Sequence, residues 1–165
     1  MSDLKQKEDF AKLIKENELL VMKVCRVYAY DTHDRKDLFQ EILIAAWQSY
    51  PKYKGDAKFR TWLYKVAIYT AIAGLRKSKS FIKSTDPNEL PQSTITLSYD
   101  ASQDDQLSVL YKAIAQLNEI DKAIVMLYLE DKSYKEMEDI MGINEATLRV
   151  KVNRIKEKLK QIIKS

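Results

Sequence analysis

Two clusters of basic residues provide the side chains of this 165-residue sequence that are best suited to bind phosphate groups. Residues 52–83 carry nine lysines and arginines and one aspartate, and residues 146–165 carry seven and one glutamate, so the net charges are +8 and +6. Clustered cations displace the counterions that condense on a nucleic-acid backbone. Each cluster alone is explained equally well as a solvated helix face. Because two clusters occur in separate parts of the chain, we favour nucleic acid as their ligand.

Aromatic residues are interleaved with the first basic cluster; they are Tyr50, Tyr53, Phe59, Trp62, Tyr64 and Tyr69. A ring beside a cationic groove can stack on an unpaired base, which contributes about 1–3 kcal/mol per base. Core packing is the alternative for most of these rings, and we expect it for Phe59 and Trp62. Tyr53 lies in a lysine-rich segment predicted to be a loop, 51–58, and is harder to bury.

The sequence contains no set of residues that is suited to catalysis or metal binding. One cysteine, Cys25, and one histidine, His33, cannot supply the ligands of a structural zinc site. Cys25 falls on an apolar helix face and is expected to be a buried thiol, and His33 is expected in a loop. No nucleophile–base pair or phosphate-binding glycine loop is recognisable. We therefore expect a protein that is not an enzyme and has no cofactor.

The elements that must position the basic clusters are predicted to be helices. Three glycines and three prolines are present, where average usage would give roughly 20 of the two together. This scarcity argues against a sandwich or barrel and favours an all-α fold. Apolar residues from Phe10 to Tyr28 recur at steps of three and four, which predicts one long helix or two short ones. Further helices are predicted at about 35–50 and from Phe59 onwards.

A polar, acidic stretch separates two helical parts of the chain. Residues 84–111 hold five acidic residues and no lysine or arginine, and Pro87 and Pro91 lie within them. We predict two small helical domains at 5–82 and 107–164, joined by a flexible acidic linker at 83–106.

The second part carries the pattern of a helix-turn-helix. Ser133 and Glu136 form a capping box, and Gly142 ends the short helix that the box begins. Asn144 caps a longer basic helix, with Ile143 and Leu148 spaced as a hydrophobic staple. That helix buries an apolar stripe and presents an opposite face, the reading face, formed by Ala146, Arg149, Val150, Asn153 and Arg154 with Thr147 and Lys151 at its flanks. Small and basic residues there suit phosphates and base edges in a major groove. Val150 either contacts a thymine methyl group or is a tolerated surface residue.

Asp37 and Glu41, spaced four residues apart with Gln40 beside them, form an acidic ridge on the helix predicted at 35–50. A solvated face is the simplest interpretation. A basic helix of a partner protein could also dock there.

Three segments together resemble the extracytoplasmic-function (ECF) RNA polymerase sigma factors, and they span most of the chain. They are DRKDLFQEILIAAW at 34–47, FRTWLYKVAIYTAIAGLRK at 59–77 and SYKEMEDIMGINEATLRVKVNRIKEKL at 133–159. The resemblance implies a sigma factor that gives core RNA polymerase its promoter specificity.

The resemblance also implies roles for individual residues. The polymerase β′ clamp helices would bind Asp34, Asp37, Leu38, Gln40 and Glu41. The −10 promoter element would be opened and held by the loop and helix that contain Tyr53, Lys54, Lys58, Arg60, Lys65, Tyr69, Arg76 and Lys77. The −35 element would be read by Thr147, Arg149, Val150, Lys151, Asn153 and Arg154. The second domain would pack on the β flap, and an anti-sigma factor is a further candidate partner.

The sequence departs from the family at a few positions. Tyr69 and Ala73 stand where the family often has Asn and Asp, Val150 replaces a frequent Ser, and the usual Pro after Leu117 is absent. These changes bear on the preferred promoter bases.

Two other functions are compatible with parts of the sequence. A stand-alone helix-turn-helix regulator would bind duplex DNA without polymerase, and a helical interaction module would bind neither. The longest apolar runs, such as residues 123–129, are too short to span a membrane, and the first residues lack a secretion signal. We therefore expect a cytoplasmic protein without membrane insertion.

Overall fold

The computed structural model of the chain describes residues 2–82 and 105–164, and these residues form α-helices without any strand. The helices are α1 (Ser2–Glu16), α2 (Glu18–Tyr28), α3 (Thr32–Ser49), α4 (Phe59–Ile82), α5 (Asp105–Ile114), α6 (Glu119–Leu129), α7 (Tyr134–Met141) and α8 (Glu145–Lys164), with a 3-10 turn at Tyr50–Lys52. The predicted all-α class is confirmed. Residues 83–104 of the predicted linker, 83–106, lie outside the described residues. We call α1–α4 the N-terminal lobe and α5–α8 the C-terminal lobe.

Two helices, not one, carry the first apolar stripe. Asn17 separates α1 from α2, and its side-chain amide Nδ2 donates a hydrogen bond to the backbone oxygen of Leu13 at 2.8 Å. The same oxygen also accepts from the backbone N–H of Asn17 at 3.2 Å, so both nitrogens of Asn17 hold the end of α1.

The helix α3 begins earlier than the sequence predicted. The Asp31 carboxylate accepts a hydrogen bond from the backbone N–H of Asp34 at 2.6 Å, so Asp31 is the N-cap and the helix starts at Thr32. His33 therefore lies in the first helical turn, with its Nε2 3.5 Å from Asp37 Oδ2, and the prediction that it is a loop residue was wrong.

The N-terminal lobe is built around α2, α3 and α4. Leu20, Ile42, Leu63 and Ile68 are fully buried among them, and Ala67 and Ala71 allow the helices to approach closely. Phe59 and Trp62, which were expected to pack in the core, are half-buried against it, as are Val66 and Leu75.

The C-terminal lobe packs α5, α6 and α7 against one face of α8. Leu148, Val152, Ile155 and Leu159 are the buried residues of α8, and they recur at steps of three and four, as predicted.

The two lobes also pack against each other. The sequence analysis, which divided the chain into two domains joined by a flexible linker, did not predict this contact. Tyr28, at the end of α2, donates its hydroxyl proton to the backbone oxygen of Glu119 at the start of α6, over 2.6 Å. Lys122 is only 5% exposed, and its Nζ lies 5.7 Å from the ring centroid of Tyr28 and 5.6 Å from that of Tyr30. Lys23 and Glu130 add an ion pair of 2.5 Å across the interface.

More cation–ring contacts surround this inter-lobe interface. The Arg26 guanidinium lies 4.0 Å from the ring centroid of Tyr111, and Lys132 Nζ lies 5.4 Å from that of Tyr64. Burial raises the pKa of Tyr64 to about 12, with the charge of Glu130 as a second cause. Aromatic and charged groups therefore join the two lobes.

We predict that Tyr28→Phe destabilises the folded chain by about 1 kcal/mol, because it removes one buried hydroxyl–carbonyl hydrogen bond and leaves the ring. Tyr30→Phe is the matched control, since its hydroxyl lies 3.4 Å from the backbone oxygen of Ala115 and the residue is 59% exposed. Urea denaturation of the parent and of both variants gives the change in the free energy of unfolding for each substitution. Equal effects of the two substitutions would show that the Tyr28 hydroxyl does not hold the lobes together.

Candidate nucleic-acid interface

The helix-turn-helix forms as the capping residues predicted. Ser133 Oγ accepts a hydrogen bond from the backbone N–H of Glu136 at 3.1 Å. Burial acts to raise the pKa of the Glu136 carboxyl, but hydrogen bonds from Ser133 and the nearby charge of Lys132 together hold this pKa below its usual value. The helix α7 ends at Gly142, whose φ of 71° is left-handed. Asn144 Oδ1 then caps α8 by accepting from the backbone N–H of Thr147 at 2.8 Å.

The reading face of α8 is open to solvent. Arg149, Asn153 and Arg154 are exposed, and Val150 is 49% exposed on the same side. Thr147 is also exposed, whereas Lys151 is half-buried. The structure thus brings all six residues predicted for the −35 element to one helix, near its N-terminal end, where partial positive charge also favours phosphate.

The basic residues of α4 and the loop before it form a second cationic surface. Lys54, Lys58, Arg60 and Lys65 are exposed, and Tyr69 is 45% exposed with its ring centroid 6.0 Å from Lys65 Nζ. Arg60 Nη1 donates to Asn17 Oδ1 at 3.2 Å. Arg76 and Lys77 lie on α4, but their side chains are outside the described ones.

Two tyrosines near this surface are less available than their sequence positions suggested. Tyr53 is half-buried: its ring centroid lies 5.1 Å from that of Trp62, and its hydroxyl donates to the backbone oxygen of Ala57 at 2.5 Å. Tyr64 is fully buried in the core of the N-terminal lobe. Tyr53 is thus not fully buried, in line with the expectation that it is harder to bury, but it joins a cluster of aromatic rings beneath the loop; the members are Phe10, Trp47, Tyr50, Tyr53, Phe59 and Trp62.

The acidic ridge is exposed on α3, on the side away from the core. Asp34, Asp37, Gln40 and Glu41 are exposed, whereas Leu38 is 9% exposed and packs inward. Burial first, and the charge of Asp31 second, raise the pKa of the Asp34 carboxyl. Of the five predicted polymerase-binding residues, four therefore form a surface and Leu38 supports it from below.

Gly74 on α4 lies beside Glu41 of α3. A β-carbon on Gly74 would lie 3.8 Å from Glu41 Oε2, an ordinary contact distance. The helices α3 and α4 therefore pass close to each other at this point without requiring a glycine.

The histidine, cysteine and acidic residues of the described part of the chain offer no candidate metal site. No cluster of three histidines, cysteines or acidic residues that could hold a metal ion occurs within residues 2–82 and 105–164. Cys25 is 3% exposed, and burial raises the pKa of its thiol to about 12, so at neutral pH it is the inert buried thiol that the sequence predicted. Within the same ranges, no helix is both long and apolar enough to cross a membrane.

Comparison with known families matches both lobes. The family model for sigma-70 region 2 matches residues 13–81, and the model for sigma-70 region 4 matches residues 107–159. The chain belongs to the sigma-70 family, and it is an ECF-type RNA polymerase sigma factor. Relatives include the ECF RNA polymerase sigma-E factor of Haemophilus influenzae, 28% identical over 79% of this chain and 75% of the relative. The sigma-H factor of Pseudomonas aeruginosa is 25% identical over 79% of this chain and 73% of its own.

Solved sigma-factor structures share the fold. The sigma factor RpoE of Bartonella quintana, solved with the anti-sigma factor NepR, superposes with a TM-score of 0.74 at 17% identity, over 95% of this chain and 98% of its own. CnrH, solved with the cytosolic domain of CnrY, gives a TM-score of 0.66 at 15% identity, over 96% and 89%. Sigma factors as a class are non-enzymatic initiation factors. Because both sigma-70 regions match, the alternative of a stand-alone helix-turn-helix regulator is not favoured.

A groove that the sequence analysis missed runs along the inter-lobe interface of this sigma factor. It has a volume of about 840 Å³ and is lined by residues of α2 and α3 on one side and α5 and α6 on the other. Its exposed apolar residues are Leu19, Met22, Leu107 and Leu129. The sequence feature that could have indicated the groove is the pair of apolar residues, Leu19 and Met22, on the solvent side of α2. The rest depends on how the two lobes pack, which periodicity does not reveal.

We predict that Gly142→Ala and Gly74→Ala change stability in opposite directions. Nothing lies within 4 Å of a β-carbon at Gly142, so the cost there is the left-handed backbone alone, about 1–2 kcal/mol. Gly74 has ordinary helical geometry, and alanine there should stabilise the chain by about 0.5–1 kcal/mol. Thermal denaturation of the two variants decides; a Gly142→Ala protein as stable as the parent would contradict the turn geometry described above.

Proposed function

We propose that this sigma factor binds core RNA polymerase, recognises the −35 and −10 promoter elements and helps to open the DNA for initiation. The observation that carries the proposal is the pair of exposed cationic surfaces, one on α4 and one on α8, on two lobes with an acidic ridge beside the first. The chain itself catalyses no reaction and needs no cofactor. It acts in the cytoplasm, where polymerase and promoters are.

The reading face of α8 contacts the −35 element in the major groove. Arg149 and Arg154 present planar donor groups that match the acceptors of guanine, and Asn153 suits adenine. Thr147 and Lys151 hold phosphates at the flanks, and Val150 lies where a thymine methyl group would give it an apolar partner.

The cationic surface of α4 and the preceding loop holds the −10 element. Lys54, Lys58, Arg60 and Lys65 neutralise phosphates of the opened strand, and Arg76 and Lys77 extend the same run. Tyr69 offers the exposed ring for stacking on a base. The Tyr53 ring supports the loop from the aromatic cluster, so its role is to hold the loop in place.

The acidic ridge on α3 binds the polymerase β′ clamp helices. Asp34, Asp37 and Glu41 supply charge and Gln40 a hydrogen-bonding amide, while buried Leu38 fixes the spacing of the ridge. The C-terminal lobe packs on the β flap. We assign the functional units as 5–82, 83–106 and 107–164; the two matched family regions, 13–81 and 107–159, fall within the first and last.

Charge reversal on the ridge tests the docking assignment. Asp37→Lys with Glu41→Lys should weaken binding to purified core polymerase at least tenfold, because like charges across an interface cost several kcal/mol. The control is Glu8→Lys with Asp9→Lys on α1, which changes the net charge equally at exposed positions. Fluorescence anisotropy of the labelled chain gives both affinities. If the two double variants bind core equally well, the ridge is not the docking site.

We also propose that an anti-sigma factor occupies the groove between the lobes. The Bartonella quintana sigma factor of this fold is bound to an anti-sigma factor, CnrH of the same fold is bound to the cytosolic domain of CnrY, and the groove has chemistry for a protein helix. Four cations line it, Lys23, Arg26, Arg35 and Lys36, against two acids, Glu18 and Glu130. The apolar floor and the excess of positive charge fit an amphipathic helix with acidic residues beside its apolar stripe.

A designed helical peptide tests this assignment. A peptide with a leucine stripe and glutamate flanks should bind the chain, and Leu129→Glu should weaken that binding at least tenfold by placing a like charge in the groove. Ile44→Glu is the control, since Ile44 is similarly exposed, 57% against 50%, and lies outside the groove. Equal binding of a lysine-flanked peptide, or equal loss from both substitutions, would reject the groove as the site.

A further inference from the structure

The guanidinium of Arg149 lies between an aromatic ring and a carboxylate. Its Cζ is 4.6 Å from the ring centroid of Tyr134, and its Nη2 is 3.8 Å from Glu145 Oε2. Tyr134 is the first residue of α7, whereas Arg149 and Glu145 lie on α8. The contact therefore links the two helices of the helix-turn-helix across its turn.

The ring of Tyr134 is itself fixed in position. Tyr134 is half-buried and packs against the hydrophobic core, and it directly follows Ser133, the N-cap residue of α7. The Arg149 side chain remains 61% exposed even with these two contacts. A well-placed ring thus supports an arginine that is still largely open to a ligand.

Stacking leaves the hydrogen-bonding edge of a guanidinium free. The donors of arginine lie in the plane of the group, so a ring against one face does not compete with a base or a phosphate for them. A side chain that is already ordered loses less conformational freedom on binding than one that samples many rotamers. The ion pair with Glu145 is exposed and weak, so it can be exchanged for DNA.

We propose that Tyr134 is a positioning residue for Arg149, which holds the guanidinium in the orientation that reads one base pair of the −35 element. The proposal rests on the proposed function, in which Arg149 contacts DNA. It predicts that base-pair discrimination depends on the ring face of Tyr134 and not on its hydroxyl.

Promoter discrimination by the full chain bound to core polymerase tests the proposal. The probes are duplexes that carry each single base-pair change across the −35 element, and the measured quantity is the affinity ratio between the preferred and the changed base pair. Tyr134→Leu keeps an apolar side chain without a π face and should reduce the ratio about three- to tenfold at one base pair. Tyr134→Phe keeps the face and should leave the ratio unchanged. Thermal denaturation confirms that each variant is folded.

Tyr128→Leu is the matched control. Lys156 Nζ lies 4.5 Å from the Tyr128 ring centroid, so this pair also places a cation of α8 over a half-buried ring. Lys156 lies two helical turns beyond Arg149 and is not among the six residues assigned to the −35 element. Loss of the Tyr128 ring should leave discrimination unchanged at every base pair.

The Arg149→Ala background separates the proposal from the function on which it rests. Arg149→Ala should abolish discrimination at the same base pair, and Tyr134→Leu should then have no further effect on it. If Arg149→Ala leaves discrimination intact, the assignment of Arg149 to the DNA is wrong, and the proposal falls with it. If Arg149→Ala abolishes discrimination but Tyr134→Leu does not reduce it, or if Tyr134→Phe reduces the ratio as much as Tyr134→Leu does, positioning by the ring is overturned.

Discussion

Lys122 carries a positive charge into the interface between the two lobes, where only 5% of the residue remains exposed. Burying a charge is costly unless other groups compensate for the lost water. The faces of Tyr28 and Tyr30, which both come from the other lobe, provide part of that compensation. The position of α6 against α2 therefore depends on these groups. The inter-lobe groove exists because the lobes meet there, and the arrangement of α4 relative to α8 follows from the same contact.

The inter-lobe interface differs in kind from the core of either lobe. Ile42, Leu63 and Ile68 interlock in the N-terminal lobe without polar groups, whereas Tyr28, Lys122 and the Lys23–Glu130 pair join the lobes. Interfaces between domains are commonly more polar than cores, and relative motion is expected where they are small. Polar contacts of this type can be replaced by water or by another protein. This property suits a sigma factor, whose two DNA-binding surfaces must fit promoter elements that are separated along the duplex.

Local features of the fold could be predicted from the sequence, and features set by tertiary packing could not. The caps at Ser133 and Asn144, the left-handed Gly142 and the buried stripe of α8 depend on neighbours within a few residues, so spacing was sufficient. The burial of Tyr53, Tyr64 and Leu38 depends on helices that are distant in sequence. Their polar neighbours along the chain therefore gave an incorrect or incomplete prediction of how exposed these side chains are. The inter-lobe groove needs both lobes in place. His33 was misplaced because Asp31, one turn earlier than expected, caps the helix.

The same distinction between local features and tertiary packing explains how much of the candidate site could be predicted from the sequence. The six residues assigned to the −35 element lie on one helix, so helical periodicity alone placed them together on α8. The contact of Arg149 with Tyr134 crosses from α8 to α7 and required the structure. The basic run of α4 was evident from composition. Its aromatic neighbours differ in exposure: Tyr64 is buried, Tyr69 is exposed and Tyr53 supports the loop. These differences depend on tertiary packing and could not be predicted from the sequence.

Run-off transcription with purified core RNA polymerase tests the central claim most directly. The template is a library of DNA fragments from the source genome, and the measured quantity is transcripts with defined start sites, compared with and without the chain. The account predicts start sites that appear only when the chain is added, with a shared sequence upstream at two separated positions. Binding to DNA without association with core, or an unchanged set of transcripts despite association, would contradict it.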